Sequence, residues 1–311
     1  MLRQWKTDLR YAWHSKLVFG MLLFFFAAAL LTFYMNDQQA RSEYISYQHT
    51  LELYRENGTD VEAELEEGYT IIEDNGNSGT VKNPLAYHHA MLGAALYTMQ
   101  PAYALSLVCE SASVFFPILA SFFGLVWSAS DQKYKTLRHR VQRLGKQKSL
   151  WCKQLSGFSL LIALLLLTLP IALCIQAWFR SRFMAACPLE PSDFTYTSPI
   201  PVHYWKQLLF AAATLAFYYE FGYTFGHLLK GNPISLVVVC VYVLFLPPLF
   251  KYDICNVFNA FAKGIFEFAG PFSLTVVPEL SLLLGSFELI ALFALMLLGN
   301  ALLTKFRSAY V

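Results

Sequence analysis

Charge is what this sequence has least of. Asp, Glu, Lys and Arg make up 14% of the 311 residues while 56% are hydrophobic, against about 25% charged and about 45–50% apolar in a soluble domain. That shortage excludes an ordinary water-soluble globule. Signatures of chemistry are missing too. There is no Walker A loop, because Arg140 stands where the first glycine before Gly145-Lys146 would have to be. His-Glu-x-x-His and Cys-x-x-Cys are both absent, and His88-His89 are adjacent, so they diverge on a helix and make a poor metal pair. The Glu62–Glu67 run lacks the alternating oxygen ligands of a calcium loop and reads as a solvated face. Neither a paired-glutamate intramembrane protease nor an aspartate-rich prenyl transferase fits, since Glu66-Glu67 lie in a polar segment and no aspartate-rich motif occurs. The net charge of +2 is strongly segregated along the chain, a pattern that nucleic-acid binding does not call for.

What is present is a series of apolar blocks, each near the ~20 residues that cross a ~30 Å hydrocarbon core as a helix. Their flanks predict an all-α polytopic membrane protein, a single domain over 1–311, with six transmembrane helices near 16–35, 103–128, 158–178, 206–229, 234–250 and 281–304. The first block is long and runs into Tyr34-Met35-Asn36-Asp37, which is no signal-peptide cleavage site. An even number of spans puts both termini on one side. Lys and Arg near span ends are retained in the cytoplasm, and placing the termini there puts fifteen of the 23 basic residues inside. The expectation is therefore a multi-pass plasma-membrane protein with cytoplasmic termini.

Residues 36–99 form an outer segment with 11 carboxylates against Arg41, Arg55 and Lys82. Tyr44, Tyr47, Leu51 and Tyr54 recur at helical spacing there, and Asn57-Gly58 and Asp74–Gly79 mark turns. The segment reads as too small and polar for a large core of its own. Before the last span, residues 254–280 carry Phe258, Phe261, Ile265, Phe266 and Phe268, followed by Gly270-Pro271. They are too short and broken to span twice, which suggests an interfacial or re-entrant helical hairpin. At the start of the chain, Leu2, Trp5, Leu9 and Trp13 form the apolar stripe of an interfacial helix over 1–15, with Arg3, Lys6 and Arg10 on other faces.

Three acids fall inside the predicted spans: Glu110, Glu220 and Glu288. Intramembrane carboxylates are costly and invite a functional reading. Either they secure packing through tyrosine or serine hydroxyls, or they line a polar cavity for a cationic substrate or a proton. Of six cysteines, Cys109, Cys174, Cys240 and Cys152 read as packing residues. Cys187 and Cys255 share the outer side and are either a disulfide or two free thiols. Between spans two and three, residues 129–153 hold a dense basic loop in which Leu137, Val141 and Leu144 share a face of a short helix.

That layout resembles an ABC-2 type transporter permease, the membrane subunit of an exporter driven by a separate ATPase. The local match is Asp131 at the end of span two, then Lys135-Thr136-Leu137-Arg138, a basic stretch, and Lys153-Gln154-Leu155 opening span three. Lys135 stands where the family usually has glycine, and Arg143-Leu144-Gly145 replaces its proline-serine-arginine step. The resemblance implies a coupling helix over 131–148 that docks on an ATPase subunit through Asp131, Lys135, Thr136, Leu137, Arg138, Val141 and Leu144. It also implies a second permease copy or sister permease, contact with membrane lipids, no cofactor in this chain, and ATP and Mg bound by the partner ATPase. The substrate class it suggests is amphipathic or hydrophobic: a peptide, drug or lipid. A non-transporting sensor or assembly factor that binds through the acidic segment is the competing reading. A membrane-embedded enzyme is the third.

Overall fold

The computed structural model describes residues 2–74, 78–133, 137–190, 193–230, 232–245, 250–278 and 280–306. It is an all-α membrane protein with one small hairpin. Three helices are long and apolar enough to cross a membrane: α2 (Leu17–Glu56), α8 (Lys146–Ala186) and α12 (Leu282–Phe306). A fourth crossing is made if α5 (Ala104–Glu110) and α6 (Phe116–Lys133) are counted together, although the chain bends by 64° between them. The second predicted span is therefore not one continuous helix but two pieces, a broken crossing or a re-entrant turn. Two serines in the short 111–113 turn begin the break, and Pro117 in the first turn of α6 has no amide to bond backward across it.

Two helices overshoot their predicted spans. α2 has 40 residues and α8 has 41, each about 60 Å at 1.5 Å per residue, twice the ~30 Å hydrocarbon thickness. No glycine or proline interrupts α2 between Gly20 and Asn57, where Gly58 turns the chain at φ +69°. The overshooting halves create something the composition of 36–99 did not suggest. Tyr47 and Leu51 on α2 are buried against Leu85 and Leu92 of α4 (Pro84–Thr98), Met99 just beyond it, and Phe183 from the end of α8. The acidic segment thus has a core because α8 lends it apolar side chains. α3 (Val61–Glu67) and the antiparallel hairpin of β1 (Thr70–Asp74) and β2 (Ser78–Lys82) complete the unit. The Asn83 amide sews it together, donating to the carbonyls of Glu64 at 2.6 Å and Gly68 at 2.9 Å.

The bundle centres on α6 and α9 (Tyr204–Leu228), which touch backbone to backbone. A Cβ on Gly222 would stand 1.9 Å from the Ser121 carbonyl oxygen, and one on Gly124 would stand 2.1 Å from that of Tyr219. Small residues at these positions permit the approach, as at helix crossings in lipid. Around the contact lie Phe123, Trp127, Tyr219 and Tyr223, all buried. The predicted fifth span begins as α10 (Pro233–Cys240), eight residues that continue into a wider turn over Val241–Phe245.

In place of the expected helical hairpin before the last span, the described residues show a single helix, α11 (Ile254–Lys263), followed by an irregular return. Gly264, Gly270, Pro271 and Pro278 punctuate that return too closely for a second helix. α1 (Leu2–His14) is the expected amphipathic helix, but the side it packs inward carries Asp8 and Ala12, and Trp13 is 56% exposed.

Candidate functional site

Four charged side chains meet where α1, α6, α7 (Leu137–Leu144) and α8 converge. Asp131, in the last turn of α6, accepts from Lys153 of α8 at 2.9 Å. Arg140 of α7 reaches Asp131 at 3.2 Å and Asp8 of α1 at 2.7 Å. Lys153 also donates to Ser130 Oγ at 2.7 Å, Gln4 donates to Asp8 at 3.1 Å, and the Trp127 indole donates to the Lys153 carbonyl at 2.9 Å. Asp8, Arg140 and Lys153 are all buried. Two acids and two bases thus cancel inside the protein, which is how buried charge is made tolerable. A 200 Å³ cavity borders the cluster, and His139 and Arg143 stand at its rim.

Burial and partners pull against each other in this cluster. Burial pushes Asp8 above the ordinary aspartate range, with Arg140 and the Gln4 hydrogen bond opposing it. For Arg140 burial opposes the charge, but Asp131 and Asp8 together outweigh it and hold the guanidinium protonated. Arg140 has two carboxylates and Asp131 two cations, whereas Asp8 has only Arg140, so the ionised Arg140 anchors the group.

The structure brings together Asp131 and Lys153, the two ends of the family-like motif, and it adds two residues that the sequence reading passed over. Arg140 appeared only as the residue that breaks a Walker A pattern within a basic loop. Asp8 was hidden by the helix it sits in, although an acid flanked by Trp5 and Leu9 on an otherwise basic helix was the available signal. The expected single helix over 131–148 is divided among three: residues 131–133 end α6, 146–148 begin α8, and only Leu137–Leu144 form the loop helix. Lys135 and Thr136 lie outside the described residues, as do the side chains of Leu137 and Arg138. Val141 and Leu144 are half-buried, so the exposed side of α7 presents His139, Gln142 and Arg143 rather than an apolar stripe.

The three span acids do not share a site. Glu220 Oε1 accepts from Gln154 Nε2 and from Asn300 Nδ2, both at 2.7 Å, and Asn300 also donates to Thr224 at 2.8 Å. This node ties α8, α9 and α12 together with amides, not with the expected hydroxyls. Glu110 does accept from a tyrosine, Tyr103, and it faces Glu267 and the Phe268 backbone amide in the return after α11. Glu288 is half-exposed on α12 near Tyr242. None of the three lines the charged cavity or the apolar groove between α9, α11 and α12. The Cys187–Cys255 disulfide is not formed. Cys187 is buried beside Phe183 in the core of the acidic unit, whereas Cys255 is an exposed thiol on α11 next to Asn259. Among the described residues no group of His, Cys, Asp and Glu could hold a metal ion.

No protein-family model, characterised protein or solved structure matches this chain.

Proposed function

We propose that this chain is the permease subunit of an ATP-driven exporter, with six membrane crossings, the α1 and α7 end in the cytoplasm and the acidic unit outside. On this reading α7 docks on a separate ATPase subunit that binds ATP and Mg, and a second permease copy or sister permease completes the pathway for an amphipathic or hydrophobic substrate. The observation that carries the reading is the Asp8–Arg140–Asp131–Lys153 cluster. A loop helix hung from flexible turns would absorb a push from below. Here Arg140 locks α7 to the interfacial helix and to the end of α6, and Lys153 locks α6 to α8, so displacement of α7 must tilt both spans. That is the bistable rigid-body element that alternating access needs. The α6–α9 backbone contact carries the tilt further into the bundle.

The test is purification of the full-length chain from its native membranes. An ATPase subunit should accompany it and hydrolyse ATP. Gln142→Glu with Arg143→Glu on the exposed side of α7 should release that subunit while leaving the permease folded. The competing reading, a sensor or assembly factor, is favoured by one observation: the acidic unit has a buried core and exposes Ile71 and Ile72 on β1 at 53% and 57%. If no ATPase accompanies the chain, and removal of the 70–82 hairpin abolishes a cellular response without an export defect, the sensor reading replaces the permease.

A further inference from the structure

A groove of about 590 Å³ runs between α9, α11 and α12. Its walls are apolar along almost their whole length, with Phe210, Phe217 and Phe258 at its floor and Ile290 and Phe293 on the α12 side. It opens toward the bilayer, because α12 is one of the long apolar helices and only 6% of its apolar window is buried. Polarity enters at one end. There Lys206 and Trp205 stand in the first turn of α9, with Ser286 opposite on α12.

Among the described residues Lys206 has no carboxylate partner, and its ammonium lies 5.7 Å from the Trp205 ring. A lysine in a first turn works against the helix dipole, so this one does not stabilise α9. It adds to the positive end of a 25-residue helix that has no side-chain cap, where the Lys206 and Gln207 amides already donate to the His203 carbonyl, and an anion is what that end attracts. Trp205 is 65% exposed, and tryptophan favours the headgroup level of a bilayer. From Lys206 to Phe217 α9 rises about 16 Å, close to the ~15 Å of hydrocarbon in one leaflet.

We propose that this groove binds one acyl chain of an anionic phospholipid, with the phosphate at Lys206 and the chain running past Leu209 to Phe217. The bound chain fills the space by which α11 leans on α9 and α12, so the lipid is a structural part of the wall of the bundle. The proposal needs only that these helices lie in a membrane and is independent of any ATPase.

The experiment uses the full-length protein in phosphatidylcholine nanodiscs containing a trace of phosphatidylglycerol or phosphatidylcholine with a photoactivatable diazirine on the acyl chain. Cross-links should concentrate on 205–217 and 286–293, and phosphatidylglycerol should label more than phosphatidylcholine. Ala213 is exposed in the groove, so Ala213→Trp fills it without entering the core and should cut the labelling at least tenfold. Ile290→Trp from the opposite wall does the same should the first variant fail to fold. Lys206→Gln should bring phosphatidylglycerol down to the phosphatidylcholine level while the chain label persists. Labelling spread evenly over the exposed faces of α12 and unmoved by either tryptophan overturns the site. So does a disulfide between two copies carrying Ile290→Cys, which would place a second copy in the groove. Equal labelling by both lipids in the unmodified protein overturns the headgroup assignment.

Discussion

Arg140→Met is the perturbation that tests the charge cluster most directly, because the consequences can be worked through partner by partner. Asp131 keeps Lys153 at 2.9 Å, so it stays paired. Asp8 loses its 2.7 Å partner and retains the Gln4 hydrogen bond at 3.1 Å and a long one from Ser156 at 3.4 Å. Removing one member of a buried pair costs about 3–5 kcal/mol. Protonation sets a ceiling. An aspartate of ordinary pKa ~3.9 takes up a proton at pH 7 for about 4 kcal/mol, at 1.36 kcal/mol per pH unit, and at pH 5 for about 1.5 kcal/mol. The variant should therefore be destabilised by up to about 4 kcal/mol at pH 7 and by about 1.5 kcal/mol at pH 5. The sign follows from linkage. Burial already raises Asp8 in the native protein, and without Arg140 it rises further, so the folded variant binds a proton that the unfolded chain does not, and its deficit shrinks as pH falls toward the ordinary aspartate value. Asp8→Asn added to Arg140→Met should recover at least half of the loss at pH 7. The assay is unfolding of detergent-solubilised protein at the two pH values, for wild type, both single variants and the double. A deficit that is the same at pH 5 and pH 7, or single costs that simply add, would refute the reasoning that Asp8 and Arg140 act as one buried unit.

Gly222→Ala should be among the most damaging single-methyl changes in the molecule, since the new carbon would stand 1.9 Å from the Ser121 carbonyl oxygen. Overpacking of about 1–3 kcal/mol or more is expected, whereas Gly20→Ala, with open space around it, should be neutral in the same unfolding assay. Glu220→Gln preserves an acceptor for Gln154 and Asn300 and should leave stability within about 1 kcal/mol, the worth of one ordinary hydrogen bond; Glu220→Leu strands both amide donors and should cost about 2 kcal/mol or more. For orientation, a single cysteine at Thr59 should react with a membrane-impermeant thiol reagent in intact cells and one at Gln142 only after permeabilisation. Labelling at 142 from outside would reverse the placement of α1 and α7.

Much of the architecture was legible because membrane insertion is written in composition. Apolar blocks near twenty residues marked α2, α8 and α12, and the Trp5–Leu9 stripe marked α1. Helix length beyond the bilayer was less visible, since the continuation of α2 past Asn36 is polar on one face and borrows its apolar contacts from Phe183, more than a hundred residues away. The same long-range dependence concealed the core of the acidic unit. Periodicity did announce its helical part at Tyr44, Tyr47, Leu51 and Tyr54, all of which pack into that core.

The candidate site was half legible for a different physical reason. Asp131 and Lys153 are 22 positions apart and stood out through a motif-like spacing that can be read along the chain. Asp8 and Arg140 are joined across 132 positions, and neither is unusual in its own segment: an acid on an interfacial helix and an arginine in a basic loop are each ordinary solvated residues. Only folding converts them into a pair, by turning Arg140 away from the exposed side that His139, Gln142 and Arg143 share and into the face that meets α1. A buried ion pair is seldom the most stable choice for a core. Its presence in place of packed leucines argues that what the junction gains is a fixed register between α1, α6, α7 and α8, the property that the proposed transmission of a push from α7 depends on.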